Sequence, residues 1–254
     1  MTRQLMIAAF VGGAILLAGQ DARAQDAWNG RVFLTVSAGG QLTTTSFGES
    51  TTFERFVEEG TFEADYGVGS GLLLDVGTGV RLWKGLGTGV TVSGFKRSDS
   101  TSFLLRVPHP FFFDQHREFG GEVDRERQEL GVHIQALFMA PLGDHFRVML
   151  SGGPSVLRIR QDVVTGVDFE ERFPFDDLAN PRAAFGELEE TAIGFNVGAD
   201  VIWMIGEAWG IGGLARYTRA TVDLVVPAHG PLSGREISVD AGGAHVAGGI
   251  RVFF

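Results

Sequence analysis

The chain has 254 residues with 21 Lys and Arg against 31 Asp and Glu, a formal net charge of −10, and no cysteine. That acidity argues against nucleic acid as a partner, and the missing thiols exclude a disulfide framework, lipoprotein acylation and thiolate chemistry. Beyond the first segment no apolar run reaches the ~18 residues of a spanning helix, so any membrane crossing must use strands, which cross only as a closed barrel.

In chain order, Thr2-Arg3 is a basic flank, Leu5 to Ala18 is apolar, and Ala22-Arg23-Ala24 is a small-x-small cleavage site. This pattern predicts a secretory signal peptide over residues 1–24 and a mature barrel domain over 25–254. The first strand, about Arg31 to Thr44, sets Val32, Leu34, Val36, Ala38 and Leu42 against Phe33, Thr35, Ser37, Gly39 and Gln41. An acidic segment rich in Thr and Phe, read as a loop, runs to about Gly71. The second strand puts Leu72, Leu74, Val76, Val80 and Leu82 opposite Leu73, Asp75, Gly77, Gly79 and Arg81, and ends at Trp83.

Lys84-Gly85-Leu86 is a tight three-residue connection into the third strand, where Thr88, Val90 and Val92 face away from Gly87, Gly89, Thr91, Ser93 and Phe95. From Lys96 to about Gln128 the pattern is irregular and polar, with part of it expected to extend the flanking strands. The fourth strand sets Leu130, Val132, Ile134, Ala136 and Phe138 against Glu129, Gly131, His133, Gln135 and Leu137. Pro141 to His145 is the second short turn, and the fifth strand follows with Phe146, Val148, Leu150 and Val156 on its greasy face. A loop with Pro174, Asn180 and Pro181 leads to the sixth, carrying Ile193, Phe195, Val197, Val201, Trp203 and Ile205.

Gly206-Glu207-Ala208 is the third short turn, and the seventh strand has Trp209, Ile211, Ala215 and Tyr217 opposite Gly210, Gly212, Leu214 and Arg216. After a loop with Pro227 and Pro231, the closing strand places Ala244, Val246, Ile250, Val252 and Phe254 on one face and Gly243, His245, Ala247, Gly249 and Arg251 on the other. Each short turn keeps the greasy faces together only if its residue count is odd, and all three read as odd. A soluble eight-stranded barrel would also alternate, but its outer face would be charged. Here that face has almost no charge, and Trp83, Phe138, Phe146, Trp203, Trp209 and Phe254 gather beside the short turns.

A final Phe preceded by apolar residues at every second position resembles the C-terminal signature of bacterial outer-membrane β-barrels. The whole pattern resembles the small eight-stranded barrels of the OmpA, OmpX and OmpW type. The resemblance implies an all-β fold, a closed antiparallel eight-stranded transmembrane β-barrel in the outer membrane, with periplasmic short turns and extracellular long loops. It further implies outer-membrane lipid as the surroundings and recognition of Phe254, as an assembly signal, by the barrel-assembly machinery. It names no extracellular partner.

The inward face collects Asp75, Arg81, Glu129, His133, Arg147, Asp200, Arg216, His245 and Arg251. A barrel of eight strands is just wide enough for side chains, and buried charges need partners, so these residues predict a plugged polar lumen. In a hairpin centred on Glu207, Asp200 lies diagonal to Arg216, which predicts an ion pair between them. The expected role is structural or adhesive, through loops presented outside the cell. The alternative is a narrow channel or passive transporter for small or hydrophobic solutes.

The segment Pro108-His109-Pro110 through His116 offers two further chemistries. His109, Asp114 and His116 are potential metal ligands, but their spacing matches no strong motif and no fourth ligand is near, so no metal or cofactor is assigned. Ser102, His109 and Asp114 contain the residue types of a hydrolytic triad, which would make the protein a lipid-modifying enzyme. Nothing in their spacing requires that arrangement, and the His-x-Ser pair associated with lipid A deacylases is missing, so no catalytic residue is assigned.

Overall fold

The computed structural model describes residues 28, 30–42, 45–68, 71–226 and 236–254; the expected signal peptide and the prolines at 227 and 231 lie outside them. The described residues form ten strands: β1 (Val32–Gln41), β2 (Thr45–Arg55), β3 (Glu58–Val68), β4 (Gly71–Trp83), β5 (Leu86–Pro108), β6 (His116–Leu142), β7 (Phe146–Glu170), β8 (Ala179–Met204), β9 (Trp209–Val225) and β10 (Glu236–Phe253). Eight of them close a ring in the order β1, β4, β5, β6, β7, β8, β9, β10, with every pairing antiparallel. The closing seam runs from Phe33 opposite Phe253 to Gln41 opposite His245. Closure leaves no strand edge in this part of the molecule, which is what a backbone in lipid requires.

Alternation decides which way each side chain points. In the lower half the outward residues Val36, Val76, Val92, Ile134, Val201 and Ile250 are exposed, while Ser37, Asp75, Ser93, His133, Asp200 and Arg251 are buried inside. The apolar belt reaches from Leu82 to Leu72 on β4. Ten residue steps at ~3.3 Å each, tilted by ~40°, give ~25 Å, the height of the apolar band of a transmembrane barrel. Trp83, Trp203, Trp209 and Phe254 mark its lower rim, and Phe146 stacks on Trp203 with ring centroids 6.5 Å apart.

Above the belt the same strands reverse their polarity. Leu157 and Ile159 are buried between exposed Arg158 and Arg160, and Val222 and Leu224 alternate with exposed Thr221, Asp223 and Val225. The inward residues there, among them Phe62, Tyr66, Phe103, Leu105, Val163 and Ile237, pack into one apolar core. The change follows the solvent: lipid outside the lower half favours apolar side chains facing out, and water outside the upper half sends them in.

Much of what reads as loop in the sequence is therefore strand. The irregular stretch from Lys96 to Gln128 is the upper halves of β5 and β6, joined only by 109–115. The acidic segment before Gly71 is the β2–β3 hairpin, whose β3 joins β5 from Thr61 opposite Arg106 to Tyr66 opposite Thr101. Asn180 and Pro181 belong to β8, leaving 171–178 as the connection. The first short turn has two residues, Lys84-Gly85, not three; a register shift between Arg81 and Trp83 supplies the extra residue that keeps the greasy faces aligned.

Among the described residues the ring is closed only in its lower half. β2 pairs with β3 alone, and β10 between Glu236 and Ala241 pairs with β9 alone. Within β10 the backbone at Gly242 has a φ of 84°, which suits glycine.

Candidate functional site

Two regions gather the polar and aromatic side chains: the lumen, and the tips of the upper strands. Three layers fill the lumen. At the bottom Trp28, Phe33, Leu137, Met139, Ile202 and Phe253 form an apolar floor. The upper core forms an apolar ceiling, and the polar residues lie between the two.

Two ion pairs cross the middle layer. Arg216 donates to Asp75 at 2.5 Å, and Arg251 donates to Asp200 at 2.7 Å and to Ser37 at 2.8 Å. The expected pair of Asp200 with Arg216 is thus replaced by two others. The hairpin register is as expected, with Asp200 opposite Leu214, but both carboxylates reach across the lumen to arginines on non-neighbouring or closing strands. The lumen is narrow enough for that, and Gly212 makes the room: a Cβ there would lie 2.8 Å from Asp200 Oδ1 and 3.0 Å from Arg251 Nε.

The imidazole of His133 bridges the hydroxyls of Ser93 and Ser155, at 2.8 Å to each. His245 meets Gln41 at 3.1 Å, and Gln41 in turn donates to the Gly242 carbonyl at 2.8 Å. Glu129 takes a partner that the sequence reading missed, Arg127 at 2.7 Å, and accepts the Gly242 N–H at 2.9 Å. Arg81 and Arg147 stand apart from this layer: both are half-buried at the lower mouth, where Arg147 lies 5.8 Å from the Phe253 ring centroid. Neutral members also escaped selection, chiefly Gln135, which donates to Asn196 at 2.7 Å and accepts from Thr91 at 3.0 Å. Their inward parity was the available signal. Arg127 lay in the stretch that the sequence left irregular.

At the top, three strand tips are tied together around Glu171. Its carboxylate accepts from Arg117 through both terminal nitrogens, Nη2 at 3.1 Å, and from Arg55 at 3.2 Å. Arg117 also donates to the Pro108 carbonyl at 3.0 Å, and Arg55 lies over the rings of Phe56 and Phe169. The hydrogen bond from Arg117 holds the Glu171 carboxyl below the usual range, with the charges of Arg117, Arg55 and His109 assisting and burial opposing.

His109, Asp114 and His116 are used to shape this crown. His109 Nδ1 accepts the N–H groups of Phe111 and Phe112 at 3.1 and 3.2 Å, the Asp114 N–H binds Glu58 at 2.8 Å, and His116 Nε2 donates to the Glu59 carbonyl at 3.1 Å. Among the described residues no group of three His, Asp or Glu is arranged to hold a metal. Ser102 lies within β5, seven residues before His109, which follows the end of that strand; the separation of about 23 Å along the chain prevents a hydrolytic triad. The fixed turn leaves Phe111, Phe112 and Phe113 exposed, at 68, 56 and 76 %, beside Phe173 at 86 %. Phe111 and Phe173 both pack on Phe175, with ring centroids at 5.3 and 6.1 Å.

An eight-stranded ring, an apolar belt of bilayer height and a side-chain-filled lumen are now in place. The fold is that of a small outer-membrane β-barrel. Solved structures with a similar course of chain include Neisserial surface protein A, at 12 % identity and TM-score 0.42, with 88 % of this chain and 97 % of that one covered. The outer membrane protein OprG from Pseudomonas aeruginosa aligns at 11 % identity and TM-score 0.49, covering 89 % and 99 %. Ail, the attachment invasion locus protein of Yersinia pestis, aligns at 8 % and 0.37, covering 87 % and 99 %. No family model matches the sequence. No curated protein matches it either. The likeness to the barrels lies in the strand ring, which the hydrogen-bond register gives directly.

Proposed function

We propose that the protein resides in the outer membrane as a non-conducting, non-catalytic barrel that holds a rigid aromatic crown outside the cell as an attachment surface. The observation that supports this most is the layering of the lumen, a polar middle enclosed by an apolar floor and ceiling. Ions would have to cross both apolar layers without compensation, at a cost of several kcal/mol each. The crown supports the second half of the reading, because large aromatic side chains held exposed by a buried arginine and a shared carboxylate are more costly than a plain loop would be. In planar bilayers the purified barrel is expected to show no conductance steps. Steady single-channel currents from the unaltered protein would overturn the sealed reading. Surface attachment is tested by replacing Phe111, Phe112 and Phe113 with Ser, which should abolish cell adhesion while the barrel remains folded.

A second reading has one observation in its favour. Among the described residues β2 and β10 are not paired where they border the apolar upper interior, and a wall left unpaired there suits lateral passage of a small hydrophobic solute rather than of an ion. Uptake of such a solute by cells carrying the protein, without ion conductance, would favour it.

A further inference from the structure

The outer wall carries cations where its apolar belt ends. On β5, β7 and β9 the outward residues at that level are Lys96, Arg158 and Arg219, although the water-exposed half above is rich in acid. Four neighbouring strands bring Lys96 into register with Arg160 and place Arg158 one row below. One row runs Leu72, Lys96, Gln128, Arg160, and the row beneath it runs Leu74, Gly94, Leu130, Arg158. Below them, Val76, Val92, Val132 and Val156 are all apolar.

A groove of about 490 Å³ lies across these two rows, within the range of ~300–1,000 Å³ typical of sites for small ligands. Gly94 makes it: a Cβ there would touch nothing within 4 Å, so the space between Leu74 and Leu130 is open. The groove opens outward, so in a membrane barrel its lower part faces acyl chains and its upper part faces headgroups. Arg158 and Arg160 share one carboxylate, Glu189, and Lys96 meets Glu126 at 2.8 Å. Glu187 and Asp162 stand opposite one another in the next row up. Glu126, Asp162 and Glu187 are one row further from the Val row than Lys96 and Arg160, and Glu189 is level with Arg160, so in these rows no carboxylate lies on the belt side of the cations. By strand spacing Lys96 and Arg160 are ~10 Å apart across the wall, and Arg158 is ~7 Å from Arg160 along β7, within reach of one multiply charged headgroup.

We propose that this groove binds an outer-leaflet lipid bearing phosphate on its headgroup, with an acyl chain over Leu74, Gly94 and Leu130 and the phosphate held by Lys96, Arg158 and Arg160. Guanidinium groups match phosphate through paired N–H donors, and basic pockets at the membrane surface recognise lipid headgroups by the same chemistry. Such a lipid would fix the barrel's depth and tether it to the outer leaflet, independently of the lumen and of the crown. The proposal rests on the chain being an outer-membrane barrel.

The test is native mass spectrometry of the folded, detergent-purified barrel titrated with bisphosphorylated lipid A, its dephosphorylated form, phosphatidylcholine and inorganic phosphate. The gel-mobility shift on heating is read for every sample, so that loss of the fold is distinguished from loss of the site. Lipid A should bind at least tenfold more tightly than the dephosphorylated form or phosphatidylcholine. Either Arg158→Gln with Arg160→Gln, or Gly94→Leu, which fills the groove without touching a charge, should abolish that preference. Arg219→Gln, on the other side of the barrel, should keep it. Equal binding of phosphorylated and dephosphorylated lipid, equal weakening by Arg219→Gln, or saturation of the site by inorganic phosphate alone would each overturn the proposal.

Discussion

Asp75 and Asp200 lie in one polar layer, and each has an arginine within 2.7 Å. All four side chains are at most 3 % exposed. Removing one member leaves its partner charged and buried, so Asp75→Asn and Asp200→Asn are each expected to destabilise the barrel by about 3–5 kcal/mol. Urea unfolding followed by the heat-dependent gel shift measures this. A double-mutant cycle should find strong coupling for Asp200 with Arg251 and little direct coupling for Asp200 with Arg216; the opposite result would restore the hairpin pairing that the sequence suggested. Adjacent residues on β5 test the inside-outside assignment. Val90 faces lipid, and arginine there should cost about 2–4 kcal/mol. Thr91 faces the lumen and donates to Gln135, and Thr91→Ser keeps that hydroxyl and should be tolerated. Equal folded fractions for the two variants would contradict the assignment.

At the scale of elements, the upper strands behave as a water-soluble sheet fused to a membrane ring. Ile159, fully buried in the apolar core, is therefore expected to matter locally: Ile159→Ala should cost about 2–5 kcal/mol of that core's packing. The loss should appear as proteolysis of β5 to β8 above the belt, with the heat-shifted band retained. The Glu171 cluster gives the same region a pH dependence. Because the folded carboxyl titrates below its ordinary value near 4.5, its contribution is complete above that value and is lost as the pH falls through the depressed one. Hydrogen exchange at 109–115 and 171–178 should be slow at neutral pH and fast in acid. Glu171→Gln should be fast at both, and an unchanged profile in that variant would remove Glu171 from the centre of the crown.

The hairpin of β2 and β3 shows why the upper half was hard to read. Its tip is Phe56-Val57, both residues at positive φ, where two-residue hairpins ordinarily show Asn-Gly or Asp-Gly. No turn signal marks it. Its alternation, with Phe62, Ala64 and Tyr66 between Glu63 and Asp65, was present but reversed in sense relative to the membrane strands. A pattern sought as greasy-out therefore registered as an acidic loop. Arg158 and Arg160 were lost in the same way, between the end of one recognised strand and the start of the next.

For the whole molecule, the topology is tested from outside. A cysteine at Gln115, in the crown, should react with an impermeant maleimide on intact cells, and one at Glu207, in a short turn, should not. Reversed labelling would invert the barrel. The eight strands of the membrane ring, the places of the three short turns and the lipid-facing residues were legible in the sequence, though not the β2–β3 hairpin or the exact turn lengths, because a period of two and the polarity of lipid act on each strand separately. Tertiary structure decided which strands meet across the lumen. Partners such as Arg216 with Asp75, or Arg117 with Glu171, lie 141 and 54 residues apart and depend on ring closure, shear and side-chain length. The height at which each strand passes from lipid into water was likewise set by the assembled barrel, since it is the common plane of eight tilted strands and no one of them contains it.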